Sequence, residues 1–320
     1  MTPAKPFSKI MSMTRRDKTA ADGRSRCYSL NRVRVEVPKP AGGLYPVATP
    51  IGNLGDIGLR ALEILAGADV IACEDSRVTR KLLDRYGMST PLTPYHEHNA
   101  SEARPKLLDR LAAGHAVALV SDAGTPLVSD PGYKLVRAAI DAGYPVTALP
   151  GASAPLAALA VAGLPSDRFF FEGFLPPKQA ARQKRIAALR TIPATLLLFE
   201  SGQRLAASLA DLAQGFGPRA AAVCRELTKL HEEVRRGDLA TLAHDYAEGG
   251  ETRGEIVIVV APPAEESAQA DDVDAMLREA FARVSLKDAV GEVALATGQP
   301  RRAIYRRALQ LAKGDGDDAA

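Results

Sequence analysis

From Leu44 onward the chain alternates short β-rich apolar runs with segments whose leucines recur at helical spacing, a rhythm that few architectures accept. Strands are predicted near 44–49, 69–73, 116–121 and 146–150. Between them Leu59, Leu62, Ile64 and Leu65, then Val78, Leu82 and Leu83, then Leu107, Leu108 and Leu111 mark helix faces that would cover a sheet. Alternation of this kind belongs to βαβ units, whose parallel strands need long crossovers, so a mainly parallel sheet is expected.

After Pro165 the stretch PSDRFFFEGFLPPK breaks the rhythm, and a second set of strands is predicted near 168–174, 194–200, 220–225 and 255–261. The expected organisation is a disordered basic N-terminal tail over 1–42, an N-terminal α/β domain over 43–165 and a second α/β domain over 166–263. A polar linker over 264–273 follows Pro262 and Pro263, and then a C-terminal helical module over 274–313 with the look of a helix-turn-helix. In that module Ser285 and Asp288 have the spacing of a capping box, Gly298 suits a helix end, and Pro300 suits the first turn of the next helix.

With 320 residues, 46% of them hydrophobic, the chain can build two real cores. The longest apolar stretch, 152–164, is cut by Pro155 and Gly163 and falls short of the roughly 20 residues that a bilayer crossing needs, so no membrane association is expected. Cys27, Cys73 and Cys224 lie far apart, which signals neither a disulfide framework nor a zinc site and fits a reducing cytosol. The net charge of +3 hides an asymmetry: residues 1–40 hold ten Lys/Arg against three acids, leaving 31 basic and 35 acidic residues in the rest. That basic, Arg/Ser-rich start also has the composition of a transit peptide. Any contact with nucleic acid must therefore come from local basic patches on a slightly acidic body.

The densest punctuation lies in VSDAGTPLVSDPG (120–132), directly after an apolar run. Gly124 and Gly132 permit close backbone approach, Pro126 and Pro131 fix φ, and Asp122 and Asp130 project from that frame. A loop at the carboxyl end of a parallel strand sits where α/β proteins bind ligands, although a turn rich in Asp, Gly and Pro with capping carboxylates has the same composition. No GxGxxG or GxxxxGK[ST] motif occurs, so phosphate-rich cofactors lose support.

Eight blocks taken together carry more: LYPVATPIGNLGDI (44–57), EDSRVTRKLL (74–83), HEHN (96–99), VSDAGTPLVSDPGYKLVRAA (120–139), LPGASA (149–154), GLPSDRFFFEGFLP (163–176), RELTK (225–229) and GEIVIVV (254–260). In this order they resemble the ribosomal RNA small subunit methyltransferase I family of the tetrapyrrole methylase superfamily. The resemblance spans about 43–313 and implies two α/β domains of the tetrapyrrole-methylase type, a class III S-adenosylmethionine-dependent methyltransferase, plus a small C-terminal helical module. It further implies a cytoplasmic homodimer that 2′-O-methylates the ribose of a cytidine in the decoding region of 16S rRNA within the small ribosomal subunit. The N-terminal domain would then carry most of the cofactor site. Gln203 in FESGQR stands where the family commonly has His, and Ala152 in LPGASA where it often has Pro.

By the same resemblance Pro50, Ile51, Asp122, Ala123, Gly124 and Thr125 would lie along S-adenosylmethionine, and Ser153 and Ala154 would offer backbone donors to its carboxylate. Methyl transfer to a hydroxyl needs alignment and a base. The catalytic candidates are Glu74, Asp75 and Arg77 with Ser76 between them, and His98 and Asn99 beside His96 and Glu97; Asp75 or Ser76 also suits a helix N-cap. No metal is expected, because the two His and one Glu lack a further ligand at useful spacing. RNA would meet Lys178, Arg182, Lys184 and Arg185, with Arg190 nearby, and Arg301, Arg302, Arg306 and Arg307 around Tyr305, although such runs also serve as solvated helix faces. Two other readings are a tetrapyrrole C-methyltransferase of the precorrin or uroporphyrinogen type and a non-catalytic ribosome-assembly binding protein.

Overall fold

The computed structural model describes residues 24–129, 132–263 and 270–314. Residues 24–42, expected to be disordered, instead hold an antiparallel hairpin in which β1 (Cys27–Leu30) pairs β2 (Val33–Glu36). Its two turn residues, Asn31 and Arg32, have φ of 49° and 67°, as in the hairpin turns whose twist matches that of the strands. Tyr28, only 4% exposed, packs into the first lobe's core, and this burial anchors strands too short to persist alone. The disorder expected for residues 1–23 lies outside the described residues.

The first lobe runs β3 (Gly43–Pro46), α1 (Leu59–Gly67), β4 (Val70–Cys73), α2 (Ser76–Arg85), β5 (Leu92–Pro94), α3 (Ala100–Ala112), β6 (Ala116–Val120) and α4 (Tyr133–Asp141). Its strands are all parallel in the order β3-β6-β4-β5, so β6 is inserted between two strands made before it. β4 and β6 are buried at every position, and their sequences VIAC and AVALV read as unbroken apolar runs because helices cover both faces. Leu62, Leu65, Leu82 and Leu83 fill one side, and Leu107, Leu111 and Leu135 fill the other. The strand expected near 146–150 is reduced to two bridges on the outer edge of β3, Leu44 to Val146 and Val47 to Leu149.

α5 (Ala154–Ala162) is apolar all round, starts with Pro155 in its first turn and ends at Gly163 in the left-handed conformation. A helix with no polar face must be covered. Ala158, Leu159 and Ala162 pack against Leu197, Ala222 and Val257 of the second sheet, while Ile51 from the first lobe joins the same cluster. α5 thus ties the two lobes together.

The second lobe runs β7 (Phe169–Phe174), α6 (Gln179–Leu189), β8 (Thr195–Ser201), α7 (Gly202–Phe216), β9 (Ala220–Arg225), β10 (Glu233–Asp238), α8 (Leu239–Glu248) and β11 (Glu255–Val260). Its order is β10-β9-β11-β8-β7, with β7 parallel to β8 and the other pairs antiparallel. A bulge between Phe171 and Gly173 bends β7.

The C-terminal module is a three-helix unit, α9 (Ala270–Phe281), α10 (Leu286–Thr297) and α11 (Arg301–Gly314), with a core of its own built on Leu277, Val290, Val293, Ile304 and Ala308. Ser285 Oγ accepts from Asp288 N at 3.3 Å and donates to Asp288 Oδ2 at 2.6 Å, and Gly298 closes α10 in the left-handed conformation. α9 takes in residues 270–273 of the expected linker, and residues 264–269 lie outside the described residues. Among the described residues no helix is long and apolar enough to cross a membrane, and no cluster of His, Cys, Asp and Glu could hold a metal ion.

Candidate active site

Cys73, the last residue of β4, pairs with Pro94 of β5 on one side and Val120 of β6 on the other, and Tyr95 N donates to Cys73 O at 2.7 Å. Glu74, His96 and Asp122 therefore leave the sheet side by side at its carboxyl end, where ligands of open α/β sheets bind. Asp75 N donates to Asp122 Oδ1 at 2.9 Å, which joins the loop after β4 to the loop after β6.

Within EDSR the neighbouring carboxylates meet opposite environments. Asp75 caps α2 by accepting from Arg77 N at 2.8 Å, and it also receives the Arg77 guanidinium at 2.6 Å and 3.1 Å. The hydrogen bonds from Arg77 pull its carboxyl down to about 2, and Asp75 takes the N-cap position that its place in the sequence also suits, with Arg77 as its partner. Burial, and then the charge of Asp122, push the Glu74 carboxyl up from the ordinary carboxylate value. Asn99 is likewise a loop tie: its Oδ1 accepts from His96 N at 2.9 Å and its Nδ2 donates to Pro94 O at 3.0 Å. His98 is exposed, and its ring stands edge-on to that of His96 at 6.1 Å.

A cavity of about 920 Å³, including its open mouth, lies between the lobes. From the first lobe Ile51, Ala123, Gly124, Thr125, Ser153 and Ala154 line it, so six of the eight residues expected along a cofactor come together. Pro50 and Asp122 are not among the lining residues. The reciprocal bonds Thr49 N to Gly124 O and Gly124 N to Thr49 O, both 2.9 Å, lock the loop after β3 onto the loop after β6. Thr125 Oγ1 donates to Ala152 O at 3.1 Å and brings in the approach to α5. A Cβ on Gly124, whose φ is +79°, would meet Ile51 Cγ2 at 3.3 Å, so this close approach requires the glycine.

The same loop stores strain: Leu127 and Ser129 take φ of 75° and 63°, which side chains rarely adopt. Ser129 reaches the bulge of β7, where a Cβ on Gly173 would fall 3.0 Å from Ser129 Oγ. Asp130 and Pro131 lie outside the described residues.

The second lobe contributes wall residues that the sequence did not offer as site candidates, namely Phe174, Phe199, Glu200, Cys224 and Glu255. Phe174 and Phe199 have ring centroids 5.4 Å apart. Burial pushes the Cys224 thiol up to about 11, so it stays protonated and is no nucleophile. Lys229 Nζ bridges Glu226 at 2.8 Å and Glu255 at 2.9 Å, and its stem lies over Gly52, where an added Cβ would collide with Lys229 Cγ. RELTK thus latches the second lobe onto the first loop of the first lobe. Gln203 lines a separate pocket with Tyr246 and Thr252.

The basic segments divide. Arg182 is buried, with its guanidinium 2.6 Å from the equally buried Asp211 of α7, and Arg185 is held by Glu172 of β7 at 2.5 Å and 2.6 Å. Arg307 binds Asp274 at 2.6 Å and 2.7 Å. Burial removes Arg182 from the surface an RNA could touch, whereas Arg185 and Arg307 carry ion pairs to acids of distant segments with 42% of each side chain still exposed. Lys178, Lys184, Arg301, Arg302 and Arg306 remain exposed, with Tyr305 beside the last three.

Residues 43–243 match the family model described as Tetrapyrrole (Corrin/Porphyrin) Methylases, and residues 267–312 match one described as RsmI C-terminal HTH domain. The chain is 54% identical to the ribosomal RNA small subunit methyltransferase I of Mesorhizobium japonicum over 86% of its own length and 94% of that protein. It is 46% identical to the protein of the same name from Pseudomonas aeruginosa, over 84% and 98%. Among solved structures, diphthine synthase aligns with a TM-score of 0.53 and 20% identity over 68% of this chain and 89% of that one. Cobalt precorrin-4 methyltransferase aligns with a TM-score of 0.52 and 19% identity over 68% and 94%. At such identities the solved structures establish the fold alone.

Proposed function

The chain belongs to the ribosomal RNA small subunit methyltransferase I family of tetrapyrrole methylases, and on that premise we propose that it moves the methyl group of S-adenosylmethionine onto the ribose 2′-hydroxyl of a cytidine in the decoding region of 16S rRNA. The observation that carries this reading is the cavity between the lobes, whose lining includes Ala123, the neighbour of the Asp122 that is bonded to the loop bearing Glu74.

The residues present fit the methyl donor. Its sulfonium supplies the electrophilic methyl group. The walls of the cavity combine Ile51, Phe174, Phe199 and Val257 with the carboxylate of Glu255, the mix of apolar surface and a few polar groups that small-molecule sites share. Apolar and aromatic surface suits an adenine ring, and a carboxylate suits a cationic amino group. α5 begins without a side-chain cap, so the N–H of Ala154 at its start is open to the donor's carboxylate. Asp122 serves this site from behind the wall, by fixing through Asp75 N the loop that continues into Ala123 and Gly124.

Glu74 takes the proton from the ribose hydroxyl. Its half-buried carboxyl has a raised pKa, which brings its basicity closer to the working pH than that of Asp75. Loops tied at Thr49–Gly124, Asp75–Asp122 and His96–Asn99 hold the approach rigid, and alignment of the acceptor oxygen supplies much of the rate.

Incubating small subunits from a strain lacking this protein with methyl-labelled donor should place label on a single cytidine ribose of 16S rRNA. Label on a base, on another RNA or on no RNA would overturn the reading. We also assign the protein to the cytoplasm, acting on rRNA within the small subunit as a homodimer. Leu59, Leu156 and Leu230, exposed by 58, 53 and 93%, supply apolar surface for a second copy to cover. Sedimentation should give twice the mass of the 33.9 kDa chain, and a monomer at micromolar concentration would refute the dimer.

A further inference from the structure

We propose that the solvent face of α2, continued by the hairpin β1–β2, is a basic track that holds the backbone of the RNA strand running away from the reaction site. The inference rests on the rRNA reading above and deepens it.

Arg77, Arg80, Lys81, Asp84 and Arg85 fall at i, i+3, i+4, i+7 and i+8 along α2, and all are exposed, while Thr79, Leu82 and Leu83 face the core. One stripe of the helix thus carries four cations against a single acid. Arg77 is spent on Asp75, but among the described residues Arg80, Lys81 and Arg85 pair with no carboxylate. On a body with 31 basic and 35 acidic residues outside the first 40, three uncompensated cations on one helix form a localised positive feature.

The position of the stripe gives it direction. α2 starts at its cap Asp75, whose N–H is bound to Asp122 and whose preceding residue is Glu74, so one end of the stripe lies at the proposed reaction site. From Arg77 to Arg85 the helix rises about 12 Å, the length of three to four stacked nucleotides. At the far end Ser29 N donates to Tyr86 O at 2.7 Å, and Ser29 Oγ would lie 3.2 Å from a Cβ on Gly87, so the hairpin docks where α2 stops. Its turn and second strand present Arg32 and Arg34, both exposed, with Val33 between them. Arg24 and Arg26 instead tie the hairpin's base to Ala68 O, at 2.5 Å, and Asp69, at 3.2 Å, leaving the turn as its outward-facing cationic end. The hairpin precedes residue 43, where the match to the methylase family model begins.

A line of guanidinium and ammonium groups without base-reading geometry suits phosphates, which position a strand without reading its sequence. The test uses the full-length chain in two variants, Arg80→Gln/Lys81→Gln/Arg85→Gln and Arg32→Gln/Arg34→Gln, with undermethylated small subunits as substrate. The triple variant should raise KM for the particles roughly tenfold while kcat stays within about twofold, and calorimetric donor affinity and thermal midpoint should stay at wild-type values. In filter binding across a salt series, the slope of log affinity against log salt should become shallower by about 2, since each lost contact with single-stranded RNA contributes ~0.7. The hairpin variant should act in the same direction with a smaller change. If both variants keep the wild-type KM and salt slope, the track is wrong while the rRNA reading stands. If the wild-type protein binds donor yet methylates no rRNA, the functional reading falls and the track falls with it.

Discussion

Glu74→Gln is expected to lower kcat by about a hundred- to ten-thousand-fold, the usual contribution of a positioned proton acceptor, while donor affinity stays within about twofold. The amide keeps the shape of the side chain and cannot take a proton. Because burial and the Asp122 charge raise the Glu74 pKa, the group is protonated and inactive in acid. The wild-type kcat/KM should therefore climb with pH through a value above the ordinary carboxylate range. In Glu74→Gln that acid limb should vanish, leaving a low, flat rate. Asp75→Asn should not reproduce this, since a carboxyl held at about 2 is ionised throughout the working range. A Glu74→Gln protein within tenfold of wild type, or one that kept the acid limb, would move the proton transfer elsewhere.

Asp211→Ala should destabilise the chain by about 3–5 kcal/mol, because it strands the Arg182 guanidinium in the second lobe without its counter-charge. Arg182 and Asp211 are 5% and 4% exposed, and the same carboxylate also accepts from Gln183 at 3.0 Å and Gln179 at 3.3 Å. Burial alone would push the Asp211 carboxyl up, but the hydrogen bonds from Gln183, Arg182 and Gln179 overcome it and hold the carboxyl below its ordinary value. A carboxyl whose folded pKa lies below the unfolded one contributes stability that is fully present above the unfolded pKa, near 3.9, and is lost as pH falls through the folded value. Denaturant midpoints should therefore show an acid-labile increment in wild type that is missing in Asp211→Ala. Replacing both partners with apolar residues of similar volume, as in Arg182→Met/Asp211→Leu, should recover most of the loss. A single variant as stable as wild type would mean that the pair is not buried in solution.

Much of this architecture could be read from apolar rhythm and punctuation. VIAC and AVALV announced buried strands and Ser285 and Gly298 marked the ends of α10, whereas the six residues from three separated blocks that meet at one cavity were named through the family resemblance and not through rhythm. The strands that escaped were those whose neighbours supply the burial. β10 reads EVRRGD and is an edge strand, β5 is three residues ending in Pro, and β1–β2 stands in a basic segment where only Tyr28 reveals its anchoring. Strand direction in the second sheet was not legible, since a period of two is the same for parallel and antiparallel partners. Arg182 looked free because its acid lies 29 residues further on, and Phe199, Glu200 and Cys224 join the cavity only once β8 and β9 are in register with β11.

The insertion of β6 between β3 and β4 has a consequence during synthesis. As the polypeptide leaves the ribosome, β3 and β4 emerge some 40 to 70 residues ahead of the segment that must separate them. Until Ala116–Val120 arrives, both present apolar ribbons with unpaired amide edges, an invitation to mispairing or to capture by a chaperone. The nascent first lobe therefore has its exposed interval before residue 120, whereas the β9–β10 hairpin can close as soon as it is made.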